Sequence, residues 1–147
     1  MSGDRSTPAI AASAGAPDGL ATRPDGLAIL VCHADPARPD ACAAPFLYAS
    51  TARAMDVTVE VYFTAAAVRL LVEGVAETLM AAPSHGRTVR DCLEEATRLG
   101  ATLHPCATAQ REWVAAHERL VALAGEPAGA TAFVGRAMDP RWRTLVF

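Results

Sequence analysis

Leu27-Ala28-Ile29-Leu30-Val31-Cys32 is an unbroken apolar run that stops at His33 and the turn-forming pair Asp35-Pro36. A strand of a one-sided sheet would alternate apolar and polar residues. A run without alternation is expected of a strand buried on both faces, as in a parallel sheet. Working outward, Val57-Thr58-Val59-Glu60-Val61-Tyr62-Phe63 is a second strand candidate, rich in β-branched and aromatic residues. Between them, Pro39-Asp40 can open a helix whose inward stripe is read as Ala43, Phe46, Leu47, Ser50 and Met55. Thr64 is placed to cap a short helix over residues 65–72. Residues 73–86, with Gly74, Pro83 and Gly86, read as a mobile crossing segment or lid.

Farther on, Thr88-Val89-Arg90-Asp91 has the spacing of a capping box, and the helix it opens runs through Leu93, Ala96 and Leu99 to Gly100. Ala101-Thr102-Leu103-His104 follows as a short strand with Pro105-Cys106 as its exit. Trp113, Val114, His117, Leu120 and Val121 are read as one face of the next helix. Ala130 to Met138 can form a short helix, and Arg143-Thr144-Leu145-Val146-Phe147 a closing strand. The alternation predicts an α/β three-layer sandwich with a mainly parallel sheet of about four to five strands. Residues 1–24 carry Pro8, Pro17 and Pro24 among Ala, Ser and Gly and are expected to be a flexible tail, leaving 25–147 as one domain.

Composition narrows the function. The 147 residues contain 13 basic and 16 acidic side chains, a net charge of −3, and every basic residue is Arg, spread without clustering. No nucleic-acid surface is expected from that distribution. Absence of Lys excludes a P-loop lysine or a Schiff base, and neither a glycine-rich phosphate loop nor a G-x-S-x-G elbow occurs. Apolar runs are strand-sized, so no membrane span and no secretory segment is expected. Four cysteines without a Cys-x-x-Cys pair fit a reducing cytoplasm rather than a disulfide scaffold.

In an open parallel sheet, reactive groups collect beyond the carboxyl ends of the strands. Cys32-His33, Thr64 and His104-Pro105-Cys106 all occupy that rim. Cys106 also precedes a helix, whose first amides favour a thiolate over a thiol. The alternative is an inert packing cysteine, since free Cys is commonly buried. Cys32 ends a buried run and reads first as core; Cys42 and Cys92, on helices, read as packing residues or as idly exposed thiols. Cys32, His33, His104 and Cys106 could together furnish a tetrahedral metal set, though without the usual close ligand spacing. A disulfide or thiol-peroxidase pairing of Cys32 with Cys106 is a further option, and it requires Cα atoms within about 7 Å.

The order of segments resembles the DsrE/DsrF-like family: Leu27 to Val31, Val57 to Val68, Gly100-Ala-Thr-Leu-His-Pro-Cys106, Gly129-Ala-Thr-Ala-Phe-Val134 and Thr144 to Phe147. The resemblance implies a compact parallel α/β domain, homotrimers or hexamers, and a cysteine that carries sulfur as a persulfide between partner proteins, with no metal or organic cofactor. Rhodanese-like proteins or small sulfur carriers are the partners it implies, and Cys106 matches the position of the carrying cysteine. Residues 107–111, Ala-Thr-Ala-Gln-Arg, depart from relatives that place a second Cys or a Ser-Met run there. His104 and Arg111 are candidate supports for the thiolate by spacing, with solvent-exposed side chains as the alternative reading.

Overall fold

A computed structural model describes residues 23–147. Of the expected tail, residues 1–22 lie outside the described residues. In chain order the elements are β1 (Gly26–Val31), α1 (Pro39–Ala54), β2 (Thr58–Phe63), β3 (Met80–Ala82), β4 (Arg87–Thr88), α2 (Val89–Arg98), β5 (Thr102–Pro105), α3 (Ala107–Trp113), α4 (Ala130–Met138) and β6 (Trp142–Val146). A 3₁₀ segment, Ala65–Leu71, follows β2, and short 3₁₀ turns flank β3.

The main sheet has four strands in the order β5-β2-β1-β6, all parallel. β1 lies inside it, and Ala28, Ile29 and Val31 are fully buried, as its unbroken apolar run requires. Ile29, Val31, Val59, Val61, Phe63 and Leu103 join one core with α1, α2 and the 3₁₀ segment. The other face is covered by α4, which packs on β6 and β1. This is the expected α/β three-layer sandwich, with layers of unequal weight. A Cβ at Gly26 would sit 2.5 Å from the Trp142 ring, so only glycine lets β6 register beside β1 there.

Local signals account for α2. Thr88 accepts from the Asp91 amide while the Asp91 carboxylate accepts from the Thr88 amide, completing the capping box. Gly100 ends the helix at φ +99°, a conformation that L side chains rarely adopt. α1 begins at Pro39 as expected, but its buried residues are Cys42, Ala43, Pro45, Phe46 and Ala49. Leu47 and Met55, assigned inward from the sequence, are 65% and 57% exposed. The helix is rotated so that Phe46 can stack on Phe63 of β2.

Three further expectations are corrected. The segment after Thr64 is 3₁₀, and Thr64, though its backbone is extended as an N-cap requires, makes no side-chain cap; Ala65 enters at φ +47°, outside the backbone range of a capped first turn. Residues 73–86 are no free lid: Ala76 and Leu79 are buried, β3 pairs with β4, and β3 packs on α1. The helix expected through Val121 ends at Trp113. Arg69 donates to the Trp113 carbonyl at 2.8 Å and forms a two-point ion pair with Glu118, whose carboxylate accepts from the Ala115 amide. This set of bonds stops the helix and turns the chain back toward Leu71 and β5. No helix among the described residues is long and apolar enough to cross a membrane.

Urea denaturation tests the corrected stripe. Phe46→Ala is expected to lose about 3–5 kcal/mol, Thr88→Ala about 1, and Met55→Ala less than about 0.5. Equal losses at Phe46 and Met55 would contradict the placement of α1.

Candidate functional site

Parallel strands end together, so the residues that follow β1, β2 and β5 form one rim. The Thr64 amide donates to the Val31 carbonyl, and the Cys106 amide donates to the Phe63 carbonyl at 2.9 Å. Thus the last residues of three neighbouring strands are bonded in sequence across the sheet. Beyond β5 the chain returns along its free edge: Gly125 donates to the Leu103 carbonyl and Ala128 to the Pro105 carbonyl. That strap brings Gly129 past the cysteine, where a Cβ would lie 3.8 Å from the Cys106 sulfur.

Cys106 is partly exposed and lines a cavity of about 270 Å³. Leu30, Phe63, Phe133 and Val134 supply apolar walls, and the small residues Ala128 to Ala130 form its side toward the strap. None of the lining residues carries a formal charge. Cys106 occupies the N-cap position of α3, and its side chain takes no cap hydrogen bond from the helix.

The remaining sequence candidates separate from it. Cys32 is drawn toward β6: its amide and its thiol both donate to the Phe147 carbonyl, at 2.8 and 3.1 Å, and its sulfur lies 3.2 Å from His33 Nδ1. β2 lies between β1 and β5, and two strand spacings amount to about 9.5 Å. A Cys32–Cys106 disulfide is therefore out of reach without backbone movement. His104 shares the sheet face of Cys106, but one ring nitrogen is bonded to the Glu126 carbonyl at 2.9 Å and the other to Thr102 Oγ1 at 3.0 Å. Arg111 donates to Thr108 on its own helix and does not line the cavity. Among the described residues, no three His, Cys, Asp or Glu side chains gather into a set able to hold a metal ion.

Cys42 and Cys92 behave as packing residues. Burial raises both thiols above their ordinary range, and Cys42 donates to the Asp35 carbonyl at 3.3 Å.

The sequence reading missed the polar group beside the cavity. Tyr62, 4% exposed, donates to Glu60 at 2.6 Å, and Arg136 of α4 grips the same carboxylate with two bonds of 2.7 and 2.8 Å. Arg136 also lies 4.1 Å above the Trp142 ring. Tyr62 stacks on His104 and meets Phe133 edge-on, so its ring divides the apolar cavity from an open polar cleft. Burial, followed by the Glu60 bond, raises the Tyr62 phenol to about 12. Burial pushes the Glu60 carboxyl up, but the bonds from Arg136 and Tyr62 outweigh it and hold the group below its ordinary value. One signal was available: Glu60 is the single charged residue of its strand, and a charge on a covered face needs a partner.

A raised phenol pKa means that the folded state holds the proton more tightly than the unfolded chain. The stability it contributes is complete below pH of about 10 and is lost as pH rises through about 12. The absence of Lys leaves this window comparatively clear. Tyr62→Phe is expected to flatten the fall in stability between those values, followed by urea midpoints at stepped pH; an unchanged slope would place the phenol in an ordinary environment.

No protein-family model matches the chain, and no curated protein matches its sequence. Among solved structures it is similar to the crystal structure of the YchN protein from E. coli, at a TM-score of 0.65 and 14% identity, covering 84% of this chain and 99% of that one. At that identity the likeness shows the fold alone, an α/β sandwich around a parallel sheet.

Proposed function

We propose that the chain is a sulfur carrier or sulfurtransferase-type protein that holds sulfane sulfur on Cys106. The observation that carries this reading is a partly exposed thiol at a strand end, opening onto a cavity large enough for a small substituent. The YchN-like fold supports it at the level of architecture.

The chemistry is thiol exchange. The Cys106 thiolate attacks the outer sulfur of a donor R–S–SH; the donor S–S bond breaks, a new S–S bond forms, and R–S⁻ leaves. The proton stays on the transferred sulfur, giving Cys106–S–SH. An acceptor thiolate then attacks that outer sulfur and releases the Cys106 thiolate. Both steps balance without an external oxidant or reductant.

Rhodanese-like proteins or small sulfur carriers are the proposed donors and acceptors, with the cytoplasm as the compartment; neither nucleic acid nor a membrane enters the proposal. A homotrimer or hexamer is proposed as the working form. A second reading keeps the fold as an oligomeric binding module without sulfur transfer. Exposed apolar side chains favour it: Val134 is 52%, Met138 80% and Val146 61% exposed.

The two readings diverge in intact-mass measurement after incubation with a small organic persulfide. Sulfur transfer predicts a gain of one sulfur that reducing agent removes, abolished in Cys106→Ser and retained in Cys32→Ser. No gain, or a gain indifferent to Cys106→Ser, would leave the binding-module reading.

A further inference from the structure

The cavity over Cys106 differs from a site for a charged sulfur compound. Its lining holds no Arg, Asp, Glu or His. The adjoining ion pair is committed internally, since Arg136 holds Glu60 at two points, and the Tyr62 ring stands between it and the cavity. The Tyr62 hydroxyl is directed at Glu60. Arg111, the cation nearest to Cys106 in sequence, bonds Thr108 and does not line the cavity. A carboxylate or ammonium carried into this space would shed water and meet no side chain of opposite charge, the Thr64 hydroxyl being the one side-chain hydrogen-bonding group of the lining besides Tyr62.

An apolar group meets the opposite conditions. Leu30, Phe63, Phe133 and Val134 offer aromatic and aliphatic contact, and removing apolar surface from water is favourable. Dry apolar cavities of about 150 Å³ accept benzene. At about 270 Å³, this one has room for an aromatic ring with a short arm directed at the sulfur.

We infer that the cavity binds the uncharged, apolar organic part of a small persulfide, that this is the class of molecule from which Cys106 takes sulfur, and that the corresponding thiolate is what leaves. The inference rests on the sulfur-carrier reading for its chemistry and on the cavity lining for its selectivity. Anionic or zwitterionic thiols are excluded by desolvation rather than by size. Ala130 and Val134 on α4 lie at the wall, where one introduced carboxylate should weaken binding of the apolar group.

Full-length Cys106→Ser, which cannot accept sulfur on that residue, separates binding from transfer. Ligand-observed NMR with benzyl methyl sulfide and its para-carboxylate analogue is expected to show at least tenfold tighter binding of the neutral compound. Ala130→Asp in the same background is expected to weaken the neutral compound at least tenfold; Val134→Asp serves if circular dichroism shows that Ala130→Asp is unfolded. Equal affinities, preference for the carboxylate, or no saturable binding would overturn the inference even if wild-type protein gains sulfur. Preferred binding of the neutral compound by a protein that gains no sulfur would leave the cavity's selectivity standing and remove the carrier role.

Discussion

Pairing of β1 on both edges is the constraint from which the rest follows. Its backbone groups are buried and must be satisfied by neighbours, and parallel registers with β2 and β6 satisfy them. Parallel pairing brings the carboxyl ends to one side, and the chain spends that convergence on Thr64 and Cys106. Gly26 permits the close approach of Trp142 that fixes β6. A slip of β1 by one residue would turn Ile29 and Val31 out of the core and carry Cys32 to the opposite face of the sheet.

The two covering layers are held by different forces. α1 and α2 are held by apolar burial, with Phe46 and Leu93 fully enclosed. α4 has no buried residue and is fixed by directional contacts: Arg136 on Glu60, Arg136 over Trp142, and Phe133 against Tyr62. Glu60 retains 15% exposure and Arg136 40%, so the pair is partly screened and acts more as a locator than as a large source of stability. The cavity depends on that locator, because Phe133 and Val134 of α4 form its outer wall. Cys106 chemistry and α4 placement are thereby coupled through residues distant in sequence.

Features governed by neighbouring residues were readable in the sequence. The apolar run ending at Cys32, the β-branched run ending at Phe63 and the Thr88–Asp91 box each specify local structure, and all three are present. The place of Cys106 at a strand exit followed from the same reasoning. Features governed by remote pairs were not readable. The end of α3 depends on Arg69 and Glu118, 49 positions apart, and the site of α4 on Glu60 and Arg136, 76 positions apart. His104 illustrates the same limit: spacing placed it on the correct face, but the Glu126 carbonyl that engages its ring comes from a loop 22 residues away. Leu47 and Met55 share the expected apolar stripe with Phe46, but packing of Phe46 against Phe63 turns them outward.

The most direct test of Cys106 as the accessible sulfur is a time course of iodoacetamide labelling on folded protein at neutral pH, resolved by peptide mass mapping. Cys106 is expected to label at least tenfold faster than Cys42, which is 2% exposed and bonded to the Asp35 carbonyl. Labelling of Cys106 as slow as that of Cys42 would contradict an open sulfur at the cavity and leave only the fold.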